Sequence, residues 1–196
     1  AAVGFAYVLF EPKINLFGFT PFDESKLVNA NRTVTVCGGD GQAIESKFYG
    51  DGKLFCSVDS LKENTVNAFI AIEDKRFYTH KGVDYLRVLA AAKNNILSKK
   101  AKEGASTITQ QLVKNTHLSN KKTLKRKINE IRIAREIERK YSKKQILENY
   151  LNILYFGNNI YGIGAAANSY FGKDASDLDL SESALLAGII NSPATL

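Results

Sequence analysis

The rhythm of hydrophobic and polar positions changes once along this chain. Thr33-Val34-Thr35-Val36 is a β-branched run followed by Gly38-Gly39-Asp40-Gly41, and Leu54-Phe55-Cys56-Ser57-Val58 follows Gly50-Asp51-Gly52. Short apolar runs separated by turn residues predict a small hairpin unit over 33–60. Beyond residue 60 the spacing becomes helical almost throughout. Asn64 or Thr65 is placed to cap a helix starting near Val66, and 83–97 reads as another. Thr107-x-x-Gln110 and Ser142-x-x-Gln145 have the spacing of capping boxes and mark two further helix starts. A long basic helix is expected over about 121–140, loop and short helix over 156–172, and a last helix near 181–190, behind Asp177, Asp179 and Ser181 and ahead of Pro193. The main body is predicted to be mainly α, with a small N-terminal β-hairpin region.

Residues 1–10 carry no charge, and Phe17, Phe19 and Phe22 follow them. Ten residues fall short of the ~20 that span a bilayer, so 1–22 is expected to be the end of a transmembrane or juxtamembrane segment with its aromatic interface, a buried helix being the alternative for 1–10. The expected divisions are then 23–62, β-containing, and 63–196, the main domain. With no Met at its start and an abrupt end at 192–196, the chain reads as a piece of a longer protein. Cys37 and Cys56 are the only cysteines; their spacing fits neither zinc nor a redox motif, leaving one disulfide or two thiols.

Charge sharpens this picture. Lys and Arg number 27 against 20 Asp and Glu, a net +7. The excess is concentrated in 93–144, where 16 basic residues face 4 acidic ones. Such a stretch expects an anionic partner: nucleic acid, lipid headgroups or a phosphorylated substrate.

Two glutamates stand where apolar residues belong. At about 100° per residue, Glu73 points almost along Val66 and within about 40° of Phe69 and Phe77. A carboxylate on an apolar face loses hydration, which makes it a better base. The plainer alternative is a helix-end Glu in solvent or paired with Arg76. Glu130 repeats the pattern, inside an arc of Leu124, Ile128, Ile131, Ile133, Ala134 and Ile137. Arg126 and Lys127 lie one turn earlier, within reach of an ordinary intrahelical ion pair. Paired carboxylates in a small helical body suggest chemistry at a glycosidic centre. A pyrophosphate leaving group needs cations rather than an acid, and Lys114, Lys121, Lys122, Arg126 and Lys127 supply them near Glu130.

Read together, these segments resemble a known family. Glu73-Asp74-Lys75-Arg76-Phe77-Tyr78-Thr79-His80-Lys81-Gly82 is similar to the EDxxFxxHxG motif of the family 51 peptidoglycan glycosyltransferases, found in class A penicillin-binding proteins and monofunctional transglycosylases. Residues 104–115 resemble GGSTITQQxxKN with Ala105 in place of the second Gly, 126–130 resemble RKxxE, and 144–152 resemble KxxILExYLN. The resemblance covers roughly 60–196 and stops before the family's fifth motif.

It implies a lysozyme-like fold with a membrane-facing jaw. The substrates implied are lipid II and a lipid-linked glycan strand, joined with inversion and release of undecaprenyl pyrophosphate. By motif, Glu73 is the base and Glu130 positions the donor or supports the pyrophosphate. Lys114, Arg126 and Lys127 bind phosphate; Ser106, Gln110, Gln111 and Asn152 line the cleft; His80 and Phe77 support the Glu73 loop. No organic cofactor is expected, and a divalent metal, Mg or Mn, is left open with no ligands assigned. The expected place is the outer face of the bacterial cytoplasmic membrane, single-pass anchored, with other cell-wall synthesis proteins and a transpeptidase domain in the parent chain as partners, and no nucleic acid.

Other readings fare worse. A DNA-reading helix does not need Glu130 inside an apolar arc. A glycan hydrolase does not need the cations. Gly162-Ile163-Gly164 lacks the preceding strand of a dinucleotide site, and Asp177-Leu178-Asp179 fits helix capping better than sugar-nucleotide binding.

Overall fold

The computed structural model of the chain describes residues 19–30, 55–98, 106–119 and 123–190. Among them are eight α-helices and no strand. In order they are α1 (Ser25–Ala30), α2 (Glu63–Glu73), α3 (Tyr85–Ser98), α4 (Ile108–His117), α5 (Leu124–Lys140), α6 (Lys143–Ile153), α7 (Ile163–Phe171) and α8 (Leu180–Ile189), with 3-10 turns at Val58–Ser60 and Ala175–Asp177. No helix among the described residues is long and apolar enough to cross a membrane. The expected membrane-helix end in 1–18 and most of the expected hairpin lie outside the described residues. The hairpin's last run is corrected: 55–57 form no strand and Val58–Ser60 is a 3-10 turn, because Ser57 accepts from the Asp59 N–H and turns the chain.

Contacts divide the chain into two compact units, 1–23 with 76–146 and 24–75 with 147–196; α6 supplies residues to both.

In the first unit α4 packs on α5. Both start on side-chain caps: Thr107 and Gln110 form a complete capping box, and the Thr123 hydroxyl accepts from the Arg126 N–H. A strap, 19–23, lies along α5. Phe19 is buried beneath Lys125 and Arg132, whose charges stand 5.9 and 4.9 Å from its ring centre. Phe22 stacks on His117 at 5.4 Å and meets Tyr141 edge-on at 6.5 Å. A pocket of about 60 Å³ separates the strap from Asn129, Arg132 and Glu136. The helix expected over 83–97 begins at Tyr85, because the Asp84 carboxylate accepts from the Arg87 N–H at 2.9 Å.

In the second unit α2 packs against α8, and α7 against α8. The N-terminal ends of α2 and α8 are tied together. Lys62 Nζ donates to the Asp177 and Leu178 carbonyls at 3.0 and 3.1 Å, and the Thr65 and Ser183 hydroxyls pair at 2.9 Å. The expected cap at Asn64 or Thr65 is therefore corrected: the helix starts at Glu63 on an uncapped Lys62, and Thr65 spends its hydroxyl on α8. Phe69 and Phe156, both fully buried, meet edge-on at 6.2 Å; burying each ring contributes about 1.5–3 kcal/mol. The last helix runs Leu180–Ile189 on an Asp179–Glu182 capping box, which gives the Asp177-Leu178-Asp179 segment its structural reason. At Gly162, φ is +87° and a Cβ would stand 2.8 Å from the Asn152 carbonyl, so only glycine fits. The Gly162-Ile163-Gly164 segment is the start of α7.

Candidate active site

Glu73 is the last residue of α2 and shares its buried face with Thr65, Phe69 and Ile70. It is 8% exposed, and its neighbour Asp74 is fully buried. Two adjacent carboxylates at the negative end of a helix are poorly placed for stability, so packing alone does not account for them. Tyr150, on α6 and entirely buried, senses both. Burial pushes its phenol well above the ordinary value, and the Glu73 and Asp74 charges push the same way. Sequence spacing did not single out Tyr150, because its relation to Glu73 is long-range.

Arg76, the plain partner considered for Glu73, is engaged elsewhere. Its guanidinium makes a fork on Asp84, Nε to Oδ2 at 2.8 Å and Nη2 to Oδ1 at 2.7 Å. Burial alone would raise the Asp84 carboxyl, but the Arg87 N–H and Arg76 outweigh it and hold it below the ordinary value. Between them the chain turns through Phe77 and His80. Phe77 is fully buried, edge-on to Tyr78 and His80 at 5.2 and 6.2 Å, with Lys143 Nζ 4.5 Å from its ring centre. His80 Nδ1 accepts from the Gly82 N–H at 3.2 Å.

Glu130 is 2% exposed on α5. Lys127 Nζ pairs with its Oε1 and donates to Ser106 Oγ at 2.9 Å, while Arg126 Nη1 stands 3.6 Å from Oε2. The structure thus joins Ser106, Arg126, Lys127 and Glu130 in one cluster. The buried carboxylate holds two cations that keep part of their surface open, Lys127 40% and Arg126 18% exposed. Arg126 Nε has no hydrogen-bond partner among the described residues. The apolar arc around Glu130 is looser than its periodicity suggests: Leu124 is exposed, and Asn129 and Arg132 join the buried face.

Lys114 is exposed in the last turn of α4, and Gln111 is half-buried on the same helix. Gln110 is buried, its Oε1 accepting from the Thr107 N–H at 3.1 Å, so that oxygen serves the cap. Lys121 and Lys122 lie outside the described residues.

Asn152 is engaged by the main chain. Its Oδ1 accepts from the Cys56 N–H at 2.8 Å, and its Nδ2 donates to the Cys56 and Glu148 carbonyls, each at 2.8 Å. One turn earlier, Glu148 accepts from Ser57 Oγ and the Val58 N–H, both at 3.0 Å. The ExYLN segment is a clamp on 56–58, and the 3%-exposed Asn152 amide has no free donor to offer a cleft. Cys56 is a buried free thiol, raised above its ordinary value by burial first; Cys37 lies outside the described residues.

The described residues show no ready seat for a metal ion. No group of three His, Cys, Asp or Glu among the described residues is placed to hold one, and the Glu130 oxygens face cations. Hard divalent ions need several oxygen ligands.

The fold and these groups define a helical domain with a shielded carboxylate and, separately, a cationic cluster suited to an anionic group. The sequence model described as Transglycosylase matches residues 41–196. The chain belongs to the transglycosylase family. It is 40% identical over 199 residues to penicillin-binding protein 1A of Clostridium tetani (strain Massachusetts / E88), covering 100% of this chain and 24% of that protein. Over 196 residues it is 42% identical to penicillin-binding protein 1F of Bacillus subtilis (strain 168), covering 100% and 26%. With penicillin-binding protein 1A of Neisseria gonorrhoeae it shares 45% over 162 residues, covering 82% and 20%. The chain spans about a quarter or less of the length of these curated relatives.

Proposed function

We propose that this domain, a peptidoglycan glycosyltransferase of cell-wall synthesis, polymerises lipid II. The Glu73 carboxylate takes the proton from the acceptor's 4-hydroxyl. That oxygen attacks the anomeric carbon of the lipid-linked glycan strand and forms the new β-1,4 bond. The bond from that carbon to the pyrophosphate breaks, its electron pair leaves with undecaprenyl pyrophosphate, and the anomeric configuration inverts from α to β. Lys127, Arg126 and Lys114 meet the growing negative charge, with Ser106 and Gln111 beside them, while Glu130 holds the two neighbouring cations in place. Such preoriented charge acts where it develops in the transition state. Glu130 is the residue here that would help hold a Mg or Mn ion, which would add positive charge at the leaving pyrophosphate; no step here runs through it. Phe77 and His80 fix the turn that follows Glu73.

The observation that carries this reading is the Ser106–Lys127–Glu130–Arg126 cluster, a buried carboxylate holding cations that remain partly open. The same reading includes a lysozyme-like fold, a single-pass anchor in the bacterial cytoplasmic membrane with the domain outside, and a parent chain with a transpeptidase domain. Glycan-chain formation from labelled lipid II in detergent, compared with Glu73→Gln, tests it. Polymer from the first and none from the second is expected. Undiminished polymer from Glu73→Gln would sink the mechanism, and release of soluble muropeptides from finished peptidoglycan would identify a hydrolase instead.

A further inference from the structure

We propose that Thr107 and Gly82 are positioning residues for this reaction: their hydrogen bond sets the spacing that brings Ser106 to Lys127 and Glu130. The inference rests on the reading of that cluster as the seat of the leaving pyrophosphate.

Thr107 is entirely buried and its hydroxyl has one proton to give. The Gly82 carbonyl stands 2.6 Å away and Gln110 Oε1 3.5 Å, so the proton goes to Gly82. A lone pair accepts from the Gln110 N–H at 3.2 Å. The helix cap needs only that acceptor, which Asp would supply equally well. The bond to Gly82 needs a donor.

Gly82 in turn rests on α5. Its φ is +88°, and a Cβ there would lie 3.0 Å from the Ala134 carbonyl oxygen, so the bare backbone of the turn serves as a spacer. Ala134 is four residues beyond Glu130 and seven beyond Lys127, on one helix face. A closed path therefore runs from Ala134 through Gly82 and Thr107 to Ser106, across to Lys127 and back along α5. Thr107 touches no substrate; it fixes where the residue before it presents its hydroxyl. Misplacement of a binding group by about 1 Å costs up to ~10²-fold in rate.

Three variants of the whole chain separate these roles. Thr107→Ser keeps both the cap and the donor, Thr107→Asp keeps the cap alone, and Thr107→Val keeps neither. Lipid II polymerisation, with kcat and KM resolved, is read beside thermal unfolding and the binding of farnesyl pyrophosphate. Thr107→Ser should stay within about twofold of the parent. Thr107→Asp and Thr107→Val should lose about tenfold or more in kcat with KM moving less than about threefold, and should bind farnesyl pyrophosphate correspondingly more weakly. If Thr107→Val does not fold, Thr107→Asp decides. Parental kcat and binding in Thr107→Asp, or an equal loss in Thr107→Ser, overturns the proposal. A parent chain that binds farnesyl pyrophosphate but makes no polymer refutes the assigned reaction instead, and the binding series then judges the pin alone.

Discussion

Asn152→Ala separates a clamp from a substrate contact. The change removes three hydrogen bonds of 2.8 Å, two to the main chain of Cys56 and one to the Glu148 carbonyl. The Glu148 carbonyl keeps its place in the helix, so little is lost there. The Cys56 N–H and C=O are left buried without Asn152, and each orphaned group costs about 1–3 kcal/mol. The expected loss is thus about 2–6 kcal/mol. At about 2–4 °C per kcal/mol for a chain of this size, the unfolding midpoint should fall by about 4–24 °C. Asn152→Asp retains the acceptor for Cys56 N–H but sets a carboxylate against two carbonyls, so its deficit against the parent should be larger at neutral pH than in acid. Thermal melts followed by circular dichroism give the shift, and polymerisation measured well below the lowered midpoint gives the activity. A midpoint within about 2 °C of the parent, together with lost polymerisation, would refute the clamp and return Asn152 to the substrate.

Three further outcomes are expected. Glu73→Gln should lower the polymerisation rate by about 10²–10⁴-fold with little change in the melting midpoint; a large midpoint drop would make Glu73 a structural group. Glu130→Gln strips Lys127 and Arg126 of their counter-charge; breaking a fully buried pair costs about 3–5 kcal/mol, and the partial exposure of Lys127 places this variant at or below the low end, measurable by urea unfolding. The Asp84 carboxyl is held below its ordinary value, so its contribution is full above about pH 4, the ordinary carboxylate range, and is lost as pH falls through the lower folded value. Asp84→Asn should therefore be less stable at neutral pH and show a flatter acid limb; parallel stability–pH curves for the two proteins would contradict the Arg76–Asp84 fork.

Local signals in the sequence were legible where a residue answers to neighbours three or four positions away. The Thr107–Gln110 box and the pairing of Arg126 and Lys127 with Glu130 are of this kind, and so is the burial of Glu73 beside Phe69. Ser142 and Gln145 also pair reciprocally, at 2.9 and 3.3 Å. Readings failed where a partner lies far along the chain. Thr65 looked like a cap and instead bonds Ser183, 118 residues away. The bond from Asn152 to Cys56, 96 residues away, is equally invisible to local spacing. Leu124 fitted the apolar periodicity of α5, but at the helix's first turn it faces solvent. The role of Gly82 is invisible to periodicity altogether, since it depends on the carbonyl of Ala134.

The strap also has a mechanical side. Phe19 sits by Lys125 and Arg132, and Phe22 sits by Tyr141 and Lys140, so the strap follows α5 toward its C-terminal end. Its attachments, including the His117 bond to the Asp23 carbonyl at 2.9 Å, are reached one after another along the chain. Tension entering from residue 18 would load Phe19 before Phe22 and His117. The attachment is therefore built to yield in steps, like an unfastening seam, and stays partly engaged after its first stitch opens. Single-molecule pulling from the N-terminal side should show an early release ahead of the main unfolding event; a single all-or-none rupture would contradict this.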